Sequence, residues 1–168
     1  MPVEIVAYDP AWPEQFQREA VRIRSALGSR ALRIEHAGST SVPGLAAKPV
    51  IDTILVVSDS SAEDTYVPEL RNAGYVLHIR EPHWHEHRIF QGPDTETNLH
   101  VFSVGCPEID RMPLFRDHLR SHAADRELYQ RTKLALAQKD WESVQRYADA
   151  KTDIVDQIVA RARIQKLG

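Results

Sequence analysis

The chain has 168 residues, 42% hydrophobic and 27% charged, which suits one domain with a sizeable core. Its formal net charge of -3 excludes the strongly basic profile of a general nucleic-acid binder, and no apolar stretch nears the roughly 20 residues that a membrane-crossing helix needs. Cys106 is the single cysteine, so no internal disulfide can form. The start of the chain lacks the basic-then-apolar pattern of a secretion signal, and a cytoplasmic protein is expected.

In chain order, "VEIVAYD" reads as a short strand or extended lead-in. "DPAWPEQFQREAVRIRSALGS" reads as a helix, with Phe16, Ala20, Ile23 and Leu27 at spacings of three or four and Gly28 as the stop. "ALRIEHAG" predicts a strand ending at Gly38. "KPVIDTILVV", residues 48–57, is β-branched and nearly all apolar, as a strand buried on both faces would be. "SSAEDTYVPELRNAGY" predicts a helix capped by a serine or aspartate and closed by Gly74. "YVLHIR" and "HWHEHRIFQG" read as strands, "GPDTET" as a turn, and "NLHVFSVG" as the return strand of a hairpin. From Pro113 onward three segments carry apolar residues at helical spacing. The expectation is a single α+β domain over 1–168, with a sheet core and helices in 1–112 and a helical third in 113–168.

The segment "HAGSTSVPGLAAKPVID" concentrates the chemistry. Five residues separate Gly38 from Gly44, and Leu45 follows, so the phosphate loop spacing of Gly, four residues, Gly-Lys-Ser/Thr is absent. No G-x-G-x-x-G occurs either. What remains is a strand, Gly38-Ser39, a hydroxyl-rich turn, and a buried strand carrying Asp52. Gly38 lets backbone N–H groups approach an anion, and Ser39, Thr40 and Ser41 add hydroxyl donors. A carboxylate inside an apolar strand needs a metal, a cation or a polar cavity.

These residues resemble the signature of the GrpB family, whose fold is that of the nucleotidyltransferase superfamily. The likeness extends to "NLHVFSVG", "LFRDHLRSHAADRELYQRTK" and "YADAKTDIV". The resemblance implies a nucleotidyltransferase-like mixed sheet with flanking helices, in which a Gly-Ser pair after the first strand binds nucleotide phosphates. Two acids on the next strand, one residue apart, and a third from a later strand would hold Mg²⁺. Here Gly38-Ser39 match the pair and Asp52 matches the first acid, the candidate catalytic residue. Position 54 is Ile54, and the later strand offers His100 in place of a carboxylate. On the helices, Arg116, Arg120, Lys133, Tyr147 and Lys151 match the family pattern, and with Lys48 they form a candidate cationic wall for a phosphate.

"HWHEH" sets His83, His85 and His87 two residues apart, which on a strand projects them from one face. Joined by His100, they are candidate ligands for Zn²⁺ or another transition metal, with Asp52 as a further metal ligand. His78, His118 and His122 read as surface residues. Three functions follow as expectations. The first is a protein that binds a nucleotide or phosphorylated small molecule, its catalytic form being a nucleotidyltransferase with a reduced site for Mg²⁺ or another divalent ion. The second is a non-catalytic adaptor, because a relative of this domain occurs fused to a coenzyme A biosynthetic kinase. The third is a transition-metal enzyme built on the histidine row. Neither membrane nor nucleic acid is expected as a partner.

Overall fold

The computed structural model describes residues 3–94, 96–139 and 141–167. Helix α1, Trp12–Leu27, has Pro13 in its first turn, where the missing amide hydrogen does no harm, and buries Trp12, Phe16, Ala20, Ile23 and Leu27. Five strands follow: β1 Arg33–Ala37, β2 Ile51–Val57, β3 Val76–Glu81, β4 His87–Gln91 and β5 Thr97–Ser103. Helix α2, Val67–Asn72, lies between β2 and β3. Helices α3 Glu108–Ser121, α4 Ala123–Ala137, α5 Val144–Ala150 and α6 Thr152–Leu167 make up the rest. The sheet order is β1-β2-β5-β4-β3, with β2 and β5 parallel and the other pairs antiparallel. This is the α+β mixed sheet with a helical C-terminal third that the sequence implies.

Strand alternation sorts the core. Leu55, Val57, Leu99 and Val101 face one side and pack with Ile23 and Leu27 of α1 and Val67 and Leu70 of α2. Ile54, Val56 and Phe102 face the other side and meet Ile109 of α3. The helical third closes over the loop after β1, where Val42 and Leu45 pack with Leu119, Tyr129 and Ile158. Asp52 and His100 therefore lie on the sheet face that the C-terminal helices cover.

Several expectations change. "VEIVAYD" forms a single antiparallel bridge, Val6 to Ala47, rather than a strand. Pro49, two residues past Ala47, has no amide hydrogen to continue a ladder. The helix expected from Ser60 begins only at Val67 and has no side-chain cap. Asp59 instead accepts from the Ser61 amide at 3.0 Å and its hydroxyl at 2.6 Å, a local turn that competes with helix. The strand expected at "HWHEHRIFQG" starts at His87. Pro82 to Glu86 form a turn in which His85 and Glu86 take φ of 58° and 49°. The last helical segment breaks at Lys151 into α5 and α6, with the Ser143 hydroxyl accepting from the Arg146 amide at the start of α5. The "GPDTET" turn includes Thr95, which lies outside the described residues. His118 is buried, not on the surface, with its Nε2 2.7 Å from an Asp125 oxygen.

Candidate functional site

At the end of β1 the chain turns at Gly38, with φ 71° and ψ -175°. Any larger residue would be strained there, and a Cβ would lie 2.4 Å from Asp52 Oδ2. Glycine thus lets the Asp52 carboxylate come up against the turn. Ser39–Ser41 follow as one short 3-10 turn. The Ser41 hydroxyl donates to the Gly38 carbonyl, so Ser41 holds the turn rather than facing outward. The Thr40 hydroxyl donates to the Val50 carbonyl at 3.3 Å and sits 2.9 Å from His36 Nε2. His36, stacked on Phe16, is pulled down to about 4 by burial, with Asp52 opposing and Arg120 and Arg116 adding to the effect. A neutral ring with its hydrogen on Nε2 completes this arrangement.

A cavity of about 120 Å³ opens beside the turn, lined by Ser39, Thr40, Lys48, Asp52, Lys133 and Tyr147, with Ile5, Val50, Asn98 and Lys151 completing its wall. Its residues come from the turn, from β2 and β5, from α4 and from the end of α5. Lys133 is buried and donates from Nζ to Ser39 Oγ at 3.0 Å and to the Ala46 carbonyl at 2.6 Å. The Ala46 amide in turn donates to Gln130 Oε1 at 2.8 Å, so α4 holds both the N–H and the carbonyl of Ala46. Lys133 Nζ also stands 4.9 Å from the Tyr129 ring centre. Lys151 Nζ is 4.7 Å, and Lys48 Nζ 5.9 Å, from the ring of Tyr147. The Tyr147 hydroxyl is fully buried and has no hydrogen-bond partner among the described residues.

The electrostatics follow from crowding three ammonium groups into a small space. Burial lowers Lys133 to about 7, and Lys151 and Lys48 push it the same way. Burial and Lys151 lower Lys48, with Asp52 and Glu96 opposing; burial lowers Lys151, again against Asp52. Burial raises the Tyr147 hydroxyl to about 12, with Tyr129 contributing. Neutral Tyr147 is therefore a hydrogen-bond donor with no acceptor among the described residues.

Behind Asp52 runs a chain of polar contacts. Asp52 Oδ1 is 3.1 Å from His100 Nε2, His100 Nδ1 is 3.1 Å from His87 Nε2, and His87 Nδ1 is 2.7 Å from Glu81 Oε1. Two carboxylates at the ends can only accept. Two neutral imidazoles bring two N–H groups, but three contacts need three. The chain is thus fully bonded when it holds one extra proton. Burial pulls His87 down to about 4, against the pull of Glu81.

The residues at the expected metal positions are otherwise engaged. Where a second acid would project, Ile54 is fully buried among Val56, Phe102 and Ile109. Among the described residues Asp52 is the one carboxylate lining the cavity, it shares that lining with three lysines, and one of its oxygens is engaged by His100. Mg²⁺ needs several hard oxygen ligands in octahedral array, and the residues present do not fit it. The histidine row is corrected as well. His83 and His85 are exposed on the turn before β4, and His87 alone enters the sheet. His87 and His100 direct their nitrogens at each other and at carboxylates. Among the described residues no group of three or more His, Cys, Asp or Glu side chains is arranged to hold a metal ion.

Of the expected ligand-binding residues, Ser39, Thr40, Lys48, Lys133, Tyr147 and Lys151 meet around one cavity with Asp52. Arg116 and Arg120 do not. Arg116 donates to Glu35 Oε1 at 3.2 Å and to the His36 carbonyl at 3.0 Å. Arg120 closes on the Ser41 carbonyl with Nε at 3.0 Å and Nη2 at 2.8 Å. Both brace β1 and the turn from outside and line a separate depression with Phe16 and His36. Asn98 joins the cavity although it is not among the expected ligand-binding residues. It is opposite Asp52 in the parallel β2–β5 register, and the alternation of "NLHVF" with His100 already places it on that face.

A five-stranded mixed sheet with a helical C-terminal third thus presents a lysine-lined cavity at the Gly38-Ser39 turn. The family description "GrpB protein" matches residues 2–161, and the chain belongs to the GrpB family. It is 61% identical over 160 residues to the UPF0157 protein BH1888 of Halalkalibacterium halodurans, covering 95% of this chain and 82% of that one. It is 34% identical to a dephospho-CoA kinase of Mycolicibacterium paratuberculosis, over 89% of this chain but 43% of the kinase. The crystal structure of conserved protein GrpB from Enterococcus faecalis superposes with a TM-score of 0.86 at 31% identity, over 98% of this chain and all (100%) of that one. Among the described residues no helix is long and apolar enough to cross a membrane.

Proposed function

We propose that this protein binds a nucleotide or another phosphate-bearing ligand, with a phosphate seated at the Gly38-Ser39 turn. The observation that carries this reading is the convergence of Lys48, Lys133 and Lys151 on one cavity, where Tyr147 holds an unused donor. Unpaired buried donors and crowded ammonium groups destabilise the free protein, and an anion relieves both. The cavity, at about 120 Å³, is smaller than the roughly 300 Å³ at which drug-sized pockets begin, so a phosphate enters and a nucleoside stays outside. Two-metal nucleotidyl transfer draws no support from Asp52 and the buried Ile54.

The test is thermal unfolding of the full chain against a panel of nucleotides and inorganic phosphate. Ligand at 100 times its dissociation constant adds about 2.7 kcal/mol and raises Tm. No shift with any phosphate-bearing compound overturns the reading. The likeness to the dephospho-CoA kinase favours a second reading, a binding module that serves a partner enzyme. Under that reading Asp52→Ala leaves every cellular phenotype intact, while changes on exposed helix faces do not.

A further inference from the structure

The cavity's charge is lopsided, and the imbalance states what kind of phosphate belongs there. Among the described residues three ammonium groups and one carboxylate line the cavity, and that carboxylate is itself paired with His100, while the exposed Glu96 acts on Lys48 without lining the cavity. Among the described residues no acid pairs with Lys48, Lys133 or Lys151, whose partners are Ser39, the Ala46 carbonyl and the Tyr129 and Tyr147 rings. The cavity therefore offers about two positive charges in excess when its lysines are protonated.

The donors are also spread in direction. Ser39 lies on the turn, Lys133 on α4, Lys48 ahead of β2, Tyr147 within α5 and Lys151 just past its end. Such a ring suits an anion with charged oxygens on several sides. A phosphodiester has a single negative charge and two uncharged ester oxygens, and its chain must leave in two directions. A monoester has two charges and three terminal oxygens, and its chain leaves in one. The small volume admits one such end.

We propose that the cavity takes a terminal phosphate monoester, end on and as its dianion, with the three lysines supplying the neutralisation that a divalent metal supplies at other phosphate sites. The Tyr147 hydroxyl donates to one of the three terminal oxygens. This inference rests on the phosphate-binding reading above and narrows it to one ligand class and to metal independence.

The experiment is isothermal titration of the full chain with methyl phosphate and with dimethyl phosphate, first in EDTA and then with Mg²⁺, alongside the nucleotide panel. Methyl phosphate is expected to bind in EDTA at least about tenfold more tightly than dimethyl phosphate, with no tightening by Mg²⁺. Tyr147→Phe is expected to weaken methyl phosphate about tenfold, the scale of one hydrogen bond to a charged group. The same variant keeps or raises Tm without ligand, because the hydroxyl has no partner to lose; a folded variant with unchanged affinity removes Tyr147 from the site. Lys151→Met is expected to abolish the preference for the monoester. Equal affinity for the two esters, or monoester binding only with Mg²⁺, overturns the inference. Nucleotides that raise Tm while methyl phosphate fails to bind also overturn it and leave the broader reading standing. If no phosphate compound binds, both fall.

Discussion

Lys133 shows how one buried side chain can carry a cost to the folded protein. Its ammonium is buried, faces two other lysines and has only neutral acceptors in Ser39 and Ala46. Its value falls to about 7 in the folded chain from an ordinary 10.5. Between those values the unfolded chain binds the proton and the folded chain does not, so this group's contribution to stability rises with pH across that window. Below about 7 both states hold the proton and the destabilisation is fully present. Lys133→Met removes the dependence. The Tm of the variant minus that of the wild type is therefore expected to decrease as pH rises from 7 to 10, measured without ligand. A difference that stays flat across that range shows that Lys133 keeps its charge throughout.

At the scale of elements, β2 divides its residues between two tasks. Asp52 at its start meets the cavity, while two residues on, Ile54 is locked between the sheet and α3. Ile54→Asp, which would restore the usual acid spacing, puts an unpaired charge into an apolar layer. We expect a loss of more than about 4 kcal/mol in denaturant unfolding and no gain in Mg²⁺ affinity. Much of this element was readable from sequence, because a β-branched apolar run with one aspartate near its start suits a central strand that opens onto a polar space. The Gly-Ser turn was readable for a similar reason: glycine is dictated by the approach of Asp52, a local constraint. The "HWHEH" spacing misled because a period of two marks a strand only where the backbone is extended, and Pro82 begins a turn instead. Arg116 and Arg120 have the right charge and spacing for an anion. Besides acids such as Glu35 and Asp117, however, they hold the backbone carbonyls of His36 and Ser41, which no side-chain pattern announces.

For the whole molecule, the cavity exists because the C-terminal third folds back onto the first strands. Lys133 reaches Ser39 across 94 positions of sequence, and Tyr147 and Lys151 arrive from later still. The sequence marks these residues through family likeness, but their meeting depends on tertiary packing of Leu119, Tyr129 and Ile158 on Val42 and Leu45. The cavity is therefore only as well formed as that docking, which gives the Ala46 peptide unit a particular meaning. Its amide belongs to no strand ladder or helix, and its hydrogen is held by the side chain of Gln130 on α4. Next to it, the Ala47 amide is bonded to the Val6 carbonyl and owes nothing directly to α4. In hydrogen–deuterium exchange the Ala46 amide should trade its proton only when the helical third lifts away. Gln130→Ala should speed exchange at Ala46 and leave Ala47 slow. One backbone proton then acts as a clock for how often the two halves of the site come apart.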